Sequence, residues 1–433
     1  MLNRVLAVCI IFLMLIIAGC TEDMPVASER NDYESRSVTI KDKGNYFDVV
    51  IDFTKGLTHR QIGESFARGI LQVVPNYEAL VDSYIAENVA KYDYTTSFYR
   101  VQDIKLYLKK DYIEEIEGMA SVFSGGTKNG WKDNKISRDE FFLFNLFPDA
   151  VRATQCSFVA VFGPRSSTHN NITGRNLDWY GGAKNQLPKI QAVITMKYPG
   201  RKLCSIGYLG FWGIITGFND SKVFAAIQDS SSGEPYSSLG KRSYVLDLRE
   251  ALECKSTLKE VGEFMKDPTK QYTVNHIIVL SDPDTSAVLE NNFSGTGPGG
   301  QRVKRELRYA DSKLNNRVTW GVSSAVGCVN SFLLYGNHDN HTQNKYNTKR
   351  WDNMKKQLIA KGTTVTPDEL KEVISYDNGS PGTFSESGDL YNKMTLHMVL
   401  FQPDSLSLQV FFHPRNTRSA PDKPVFEKIT VFK

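Results

Sequence analysis

The chain has 433 residues, among them 52 lysines and arginines and 48 aspartates and glutamates, and its formal net charge is +4. This charge is nearly balanced, and no stretch combines dense Lys and Arg with aromatic residues, so a nucleic acid is not expected as a partner. Beyond residue 20 the chain is long enough for one large domain or two ordinary ones. It contains no internal repeat.

The amino terminus has the pattern of a secretory signal. A short polar start at Asn3 and Arg4 is followed by an apolar run at residues 5–17, and Ala18-Gly19-Cys20 closes it. The run is too short for a membrane span and ends in small residues. Small residues before a cysteine resemble a bacterial lipobox, in which Cys20 becomes the lipidated first residue. The alternative is an ordinary signal with a chance cysteine.

The lipobox resemblance implies anchoring in the bacterial cell envelope. Each acyl CH₂ that enters the membrane contributes about 0.8 kcal/mol, so several chains on Cys20 would anchor firmly. Thr21 rather than Asp follows the cysteine, which by resemblance to sorted lipoproteins favours the outer membrane, on its periplasmic or surface-exposed side. Residues 21–37 are polar without periodicity and are expected to form a flexible tether.

The next part of the chain is predicted to be helical. Between residues 59 and 123, apolar residues recur at three- and four-residue steps. The clearest set is Ile62, Phe66, Ile70 and Val73. Ser137 and Glu140 have the spacing of a capping box, which predicts a further helix through Phe147.

After Cys156 short extended runs predict strands. They cover residues 156–162, 171–179, 190–198, 205–218, 223–229, 276–280, 287–291, 396–402 and 405–413. Helices are predicted at residues 256–265 and 351–360 and from Thr366, where a proline and two acidic residues follow. A helical first third followed by strands and helices predicts an α+β fold with two layers of sheet and helices outside.

The stretch QCSFVAVFGPRSSTHNNITGRNLDW, residues 155–179, places a lone cysteine before an apolar strand. The break at Gly163-Pro164 lets the second extended run return as a hairpin, which brings Cys156 to the same end as Arg175 and Asp178. Taken singly, such a cysteine is usually an inert core residue, and an Arg and an Asp at this spacing usually form a surface ion pair.

Cys156 followed by Gly-Arg-Asn-Leu-Asp-Trp at residues 174–179 resembles the N-terminal-nucleophile (Ntn) cysteine hydrolases. This group includes bile salt hydrolase, penicillin V acylase, acid ceramidase and the fungal penicillin acyltransferase. Residues 114–147 resemble the helical propeptide of the last two members, residues 208–230 their central strand pair, and residues 328–354 their Asn-then-Arg segment. The resemblance covers most of the chain from about residue 45 onward.

The resemblance implies a four-layer αββα sandwich and an enzyme made as a precursor, with neither metal nor cofactor. Cleavage between Gln155 and Cys156 would leave residues 38–155 as a helical propeptide, or α subunit, and residues 156–433 as the catalytic β subunit. The new α-amine, with an ordinary pKa of about 7.7–8.0, can take the proton of the Cys156 thiol. Nucleophile and base then belong to one residue, and no catalytic histidine is required.

The resemblance also implies roles for further side chains. Asp178 would orient the amine, and Arg175 would favour the thiolate or bind the polar end of the substrate. Asn330 would donate a hydrogen bond to the oxyanion, and removal of such a donor costs roughly 3–4 kcal/mol. Arg350 would match a later arginine that supports the charge balance of the site. On their own, Asn330 could equally cap a strand end and Arg350 could be a solvated helix charge.

Gln228 and Asp229 stand where relatives commonly carry Asn-Glu, and they are expected to bind the substrate. This departure from the pattern leaves the second oxyanion donor open. The cysteines Cys204, Cys254 and Cys328 remain after the signal and the nucleophile are set aside, so at most one disulfide is expected in an oxidising compartment.

Other kinds of site have less support in the sequence. His338 to His341 has metal-ligand residue types but lacks a third ligand nearby, and the glycine-rich residues 295–300 lack the Lys-Ser/Thr of a phosphate-binding loop. A papain-like site needs a cysteine at a helix start, whereas Cys156 opens a strand.

The sequence therefore predicts an autoprocessed amidohydrolase that cleaves linear amides between an acyl group and an amine. Aromatic residues near the site suit an apolar acyl pocket, although they could equally be core: Trp179, Tyr180, Phe211 and Trp212. The expected partners are an N-acyl amide substrate and, through the anchor, a membrane; a homo-oligomer stays open. The alternatives are an acyltransferase and a non-catalytic surface lipoprotein, for which Gln228 in place of Asn is the supporting feature.

Overall fold

The computed structural model describes residues 32–89, 94–128, 130–151, 155–230, 237–293, 304–337, 341–379 and 388–432. The signal with Cys20 and the tether as far as residue 31 lie outside the described residues, as do residues 295–300 and 338–340. Within the described ranges, no helix combines the length and the apolar character that crossing a membrane would need.

Helices occur in two groups along the chain, six before Cys156 and four after it in the described part. They are α1 (His59–Val73), α2 (Tyr77–Val89), α3 (Tyr94–Lys105), α4 (Lys110–Ala120), α5 (Arg138–Asn145), α6 (Phe147–Ala150), α7 (Tyr244–Cys254), α8 (Leu258–Lys266), α9 (Lys345–Ala360) and α10 (Pro367–Ile374). The predicted capping box is confirmed at α5, where the Ser137 hydroxyl accepts from the Glu140 N–H and the Glu140 carboxylate accepts from the Ser137 N–H.

The described strands are short and mostly antiparallel. They are β1 (Tyr33–Glu34), β2 (Val38–Asp42), β3 (Phe47–Asp52), β4 (Gln155–Val161), β5 (Ile172–Asp178), β6 (Gln191–Tyr198), β7 (Arg201–Tyr208), β8 (Thr216–Asn219), β9 (Phe224–Asp229), β10 (His276–Ser281), β11 (Ser286–Asn291), β12 (Arg305–Arg308), β13 (Ala325–Cys328), β14 (Thr395–Gln402), β15 (Ser407–Phe412) and β16 (Glu427–Ile429).

The strands form two sheets. A ten-stranded sheet has the order β1-β2-β3-β6-β7-β8-β9-β10-β11-β12, and a six-stranded sheet has the order β13-β4-β5-β14-β15-β16. The predicted hairpin is confirmed: β4 pairs with β5, with Gln155 opposite Asp178 and Cys156 opposite Leu177.

Three apolar layers hold the fold together. The helices before Cys156, with α7 and α8, pack on the outer face of the ten-stranded sheet, and α9 and α10 pack on the outer face of the six-stranded sheet. Between the sheets lies a third layer, in which Phe158 and Ala160 of β4 meet Ile206 and Phe218. The order helix, sheet, sheet, helix confirms the predicted α+β sandwich, whose core excludes water from apolar side chains.

The amino-terminal boundaries differ from the prediction. Tyr33–Glu34, placed in the tether, is a strand paired with Thr39–Ile40, and β3 runs parallel to β6. The segment before Cys156 therefore adds strands as well as helices to the main sheet. Buried and half-buried residues alternate along Phe47–Asp52, which is typical of a strand. The prediction of a helical segment did not include this strand.

Two other elements were mispredicted. The run at 205–218 is two strands, because Gly210 turns the chain with a φ of +78° and a Cβ there would lie 2.3 Å from the Tyr77 hydroxyl. Helix α7 was not predicted, although Ser243 caps it by accepting from the Leu246 N–H.

Candidate active site

Cys156 lies near the start of β4, at the edge of the space between the two sheets. Its side chain is fully buried, and its position along the strand has the same parity as Phe158 and Ala160, which face the ten-stranded sheet. The neighbouring strand β5 carries Arg175 on the same face and brings Asp178 opposite Gln155. The structure thus brings together the three residues that the sequence singled out first.

Arg175 is fully buried and bonds to three acceptors. Its Nη2 lies 3.6 Å from Cys156 Sγ and donates to the Ile227 carbonyl at 3.0 Å, and its Nη1 lies 3.1 Å from His397 Nε2. None of these three partners is a carboxylate. Burial lowers the pKa of Arg175 below its ordinary value, while Cys156 and Asp178 act in the opposite direction. Because arginine stays protonated, the thiol of Cys156 is the bonded partner that can become its counter-ion.

Asp178 is buried at the end of β5. Burial raises its pKa to about 6, although the Thr395 hydroxyl, which donates to Oδ1 at 2.6 Å, and the charge of Arg350 act against that rise. Its second oxygen, Oδ2, makes no hydrogen bond within the described residues, although the Asn392 amide lies close enough to lower the pKa of Asp178. A buried carboxylate with one spare oxygen beside the Gln155–Cys156 peptide can accept a hydrogen bond from a group that forms there.

The backbone of Cys156 is bound by side chains at both its N–H and its C=O. The N–H donates to Asn330 Oδ1 at 2.8 Å, and the carbonyl accepts from Arg350 Nη1 at 2.6 Å. Arg350 also donates from Nη2 to Asn330 Oδ1, at 2.9 Å, and to Asn347 Oδ1, at 2.7 Å. These bonds fix the backbone of Cys156 independently of its side chain.

Asn330 has more than one function in this geometry. Its Nδ2 donates to the Asp229 carbonyl at 2.7 Å, and its Oδ1 accepts from the Cys156 N–H and from Arg350 Nη2. Its role as an oxyanion donor stays a prediction. Asp229 contacts Asn330 through its backbone carbonyl, and its substrate-binding role stays a prediction.

Gln228 is fully buried on β9, next to Ile227, whose carbonyl bonds to Arg175. Neither its Oε1 nor its Nε2 has a hydrogen-bond partner in the described part of the chain. A buried amide without partners is costly, so Gln228 has both a donor and an acceptor to offer a ligand or water.

Four contributors were missed from the sequence: Thr216, Asn347, Thr395 and His397. Asn347 could have been found, because it lies three residues before Arg350 on α9 and so shares its face. His397 and Thr395 lie in a strand whose sequence has no motif, and only the pairing of β14 with β5 brings them to the site.

An aromatic pocket includes Trp179, the residue after Asp178. Its cavity volume is about 20 Å³, and it is lined by Tyr84, Phe144, Phe147, Pro148, Trp179, Leu187, Tyr208, Phe211 and Ile215. Two of the predicted pocket aromatics, Trp179 and Phe211, line it. The hydroxyl of Tyr208, whose pKa burial raises, has no partner within the described ranges, while that of Tyr84 donates to the Tyr180 carbonyl.

The remaining cysteines and histidines are arranged as follows. Cys204, Cys254 and Cys328 form no disulfide in the described part of the chain, and burial raises the pKa of the Cys328 thiol to about 12. No set of His, Cys, Asp and Glu side chains in the described ranges could hold a metal ion. His341 is buried beside the Trp351 ring, and burial lowers its pKa to about 4.

No family model and no curated protein matches the chain, but solved structures are similar to it. An N-acylethanolamine-hydrolyzing acid amidase ortholog from Caenorhabditis elegans has 15% identity and a TM-score of 0.42, over 57% of this chain and 93% of that one. A mutant conjugated bile acid hydrolase from Clostridium perfringens has 11% identity and a TM-score of 0.35, over 64% and 97%.

Penicillin V acylase from Agrobacterium tumefaciens has 13% identity and a TM-score of 0.35, over 64% of this chain and 86% of that one. Bile acid hydrolase and penicillin V acylase are two of the enzyme kinds that the sequence around Cys156 resembles. These likenesses are distant, and the case for a function rests on the geometry around Cys156.

Proposed function

We propose that the protein is a hydrolase of linear amides in which Cys156 is the nucleophile. One observation carries the proposal: the fully buried Arg175 donates to Cys156 Sγ, and its other bonds within the described residues go to neutral acceptors. A buried cation costs several kcal/mol unless an anion compensates it. The thiolate of Cys156 supplies that anion, and a thiolate is the nucleophilic form of cysteine.

The same thiol would first cleave its own chain. Cys156 Sγ attacks the carbonyl carbon of Gln155, the C–N bond breaks as the nitrogen takes a proton, and a thioester forms. Water then hydrolyses the thioester, leaving a carboxylate on Gln155 and a free α-amine on Cys156. Asn330 Oδ1, which already accepts from this nitrogen at 2.8 Å, and the spare oxygen of Asp178 suit the orientation of the emerging amine.

In the mature enzyme the amine would be the general base. An α-amine has an ordinary pKa of about 7.7–8.0, so it can take the thiol proton near neutral pH and return it to the leaving amine of the substrate. The acyl group passes to Cys156 Sγ as a thioester, and water releases it as a carboxylic acid. Gln228, whose buried amide has no partner within the described residues, and Asn330, which binds the Cys156 N–H, are the amides that we propose as donors to the oxyanion.

The apolar lining of the aromatic pocket, and not its volume of about 20 Å³, supports an apolar acyl group as part of the substrate. The walls of the pocket come from both sides of the cleavage point: Phe144 and Phe147 precede it, and Trp179 and Phe211 follow it. Burial of an apolar chain there contributes about 25 cal/mol per Å² of surface removed from water.

We also propose the lipid anchor at Cys20, on the strength of the Ala18-Gly19-Cys20 end of the signal. The Cys20→Ala variant should lose its partition into detergent and membranes, while its folded domain keeps its amidase activity. Unchanged membrane association would remove the lipoprotein proposal and leave the enzymatic one intact.

Maturation provides the direct test of the enzymatic proposal. Wild-type protein should give two associated fragments, one ending at Gln155 and one beginning with Cys156, and it should release acids from a panel of N-acyl amines. The Cys156→Ala variant should stay one inactive chain, whereas the Cys204→Ala control, which changes a buried thiol between the sheets, should mature. Mass spectrometry of an active wild-type protein with an intact Gln155–Cys156 bond would exclude the amine as base.

A further inference from the structure

His397 and Thr216 form a polar pair in the mostly apolar layer between the two sheets. His397 is fully buried on β14 of the six-stranded sheet, and Thr216 is fully buried on β8 of the ten-stranded sheet. The Thr216 hydroxyl lies 3.0 Å from His397 Nε2, so the pair links the two sheets. Around it, the space between the sheets is filled by Phe218, Val399 and other apolar side chains. Polar groups buried in such a layer lower stability unless they bond.

The hydrogen-bond pattern fixes the protonation of His397. Arg175 can only donate, and its Nη1 lies 3.1 Å from His397 Nε2, so Nε2 must accept and the ring proton must be on Nδ1. Burial, and then the charge of Arg175, lower the pKa of His397 well below 6.5, which agrees with a neutral ring. Nδ1 itself has no partner within the described ranges.

Because His397 is neutral, it accepts a hydrogen bond from Arg175 without neutralising the positive charge of the guanidinium. A carboxylate in place of His397 would also hold Nη1, but it would neutralise the guanidinium and compete with the thiolate. Without any acceptor, Nη1 would be buried with an unmet hydrogen bond, and Nη2 would be less firmly directed at Cys156 Sγ. The other titratable groups around the thiol are Asp178 on β5, Tyr208 on β7, Cys328 on β13 and Arg350 on α9.

We propose that His397 is a positioning residue: as a neutral acceptor anchored by Thr216, it orients Arg175 so that the whole cationic charge serves the Cys156 thiolate. This inference rests on the proposed role of Cys156 as the nucleophile. It predicts that the reactivity of the Cys156 thiol depends on two properties of residue 397: that it accepts a hydrogen bond and that it is neutral. Different substitutions remove one property or the other.

The test measures how fast iodoacetamide alkylates Cys156 between pH 5 and pH 10, with the peptide identified by mass spectrometry. This readout needs no substrate, so it separates the inference from the choice of amide. His397→Gln, which keeps a neutral acceptor, should alkylate as wild type does. His397→Leu and His397→Glu should both shift the midpoint upward by about one pH unit, a tenfold lower rate near neutral pH. In the same samples the exposed thiol of Cys254 is an internal control.

A second histidine controls for loss of a buried ring. His413, on the neighbouring part of the sheet, is buried and bonds the Pro414 carbonyl through Nδ1. His413→Leu should leave the alkylation profile of Cys156 unchanged even if it lowers the melting temperature. An unshifted profile in folded His397→Leu, or a wild-type Cys156 that alkylates no faster than Cys254 at neutral pH, would overturn the inference. Normal alkylation profiles with no amide hydrolysed would instead count against the proposed function.

Discussion

Glu115 and Arg249 form an ion pair without exposed surface that joins α4 to α7. Arg249 Nη2 donates to Glu115 Oε1 at 3.0 Å, and the guanidinium lies 4.3 Å from the centroid of the Tyr112 ring. Because α4 precedes Cys156 and α7 follows it, the pair ties together the two segments that cleavage would separate. Fragments held in this way need no disulfide.

Removing the carboxylate should loosen this connection. In Glu115→Gln the guanidinium of Arg249 stays buried, with Glu253 as its remaining carboxylate at 2.7 Å. Breaking a buried pair from one side costs about 3–5 kcal/mol, and Glu253 should keep the loss near the lower end. Urea unfolding measures this loss of unfolding free energy. The surface control Asp368→Ala, which breaks a pair with Lys371, should leave the unfolding midpoint nearly unchanged.

His59 makes this connection sensitive to pH. Its Nδ1 lies 2.7 Å from Glu115 Oε1, and that hydrogen bond raises the pKa of His59 above 6.5, while burial and Arg249 oppose the rise and Asp111 supports it. The folded protein therefore binds this proton more tightly than the unfolded chain does. The resulting stability is fully present below pH 6.5 and is lost as the pH rises through the folded pKa.

The measurement is the melting temperature of wild type and His59→Gln from pH 5 to pH 9. The difference between the two proteins should be largest at the acidic end and should shrink above neutrality. A constant difference across the range would mean that the His59 charge contributes nothing to the fold.

Local patterns predicted most of the sandwich, because the hairpin of Cys156, the helices from residue 59 and the Ser137 cap depend on neighbours in the chain. The strand pairings that complete the site are not local. His397 reaches Arg175 only because β14 pairs with β5, across a separation of 222 residues. Likewise, Asn330 was predicted by resemblance, but its bond to the Cys156 N–H depends on where the loop after β13 packs.

Substitutions of Gln228 and Asn330 should affect protein stability and the catalytic rate differently. Both amide atoms of Gln228 lack partners in the described residues, so Gln228→Leu should keep or raise the unfolding free energy while kcat falls about 10²–10³-fold if the amide donates to the oxyanion. Asn330→Ala should lower both, since Asn330 also binds the Cys156 N–H and the Asp229 carbonyl.

Asn171→Leu provides the matched control for an amide distant from Cys156. Asn171 lies at the start of β5 and donates to the Thr285 carbonyl and the Ser286 hydroxyl, so its loss should lower stability and leave kcat unchanged. Equal kcat in Gln228→Leu and wild type would leave Asn330 as the oxyanion donor. In that case kcat should fall more than KM rises in the Asn330 variant.

Substitution of Asp178 should raise the stability of the protein and slow its maturation. The folded pKa of Asp178, raised by burial to about 6, lies above the ordinary 3.8, so ionisation of this carboxyl lowers stability as the pH rises from about 4 through 6. Asp178→Asn removes that cost, and the variant should melt at a higher temperature than wild type at pH 7. In the proposed maturation, in contrast, this carboxylate orients the emerging amine, so the Asn variant should cleave slowly. Wild-type maturation should slow below about pH 6, whereas the variant should lack that dependence.

The control is Asp389→Asn, which changes a buried aspartate whose Oδ1 accepts from the Asn378 N–H. This variant should mature at the wild-type rate. Rapid cleavage of Asp178→Asn at every pH would show that the emerging amine needs no carboxylate, and Asn330 Oδ1 would then be its main acceptor.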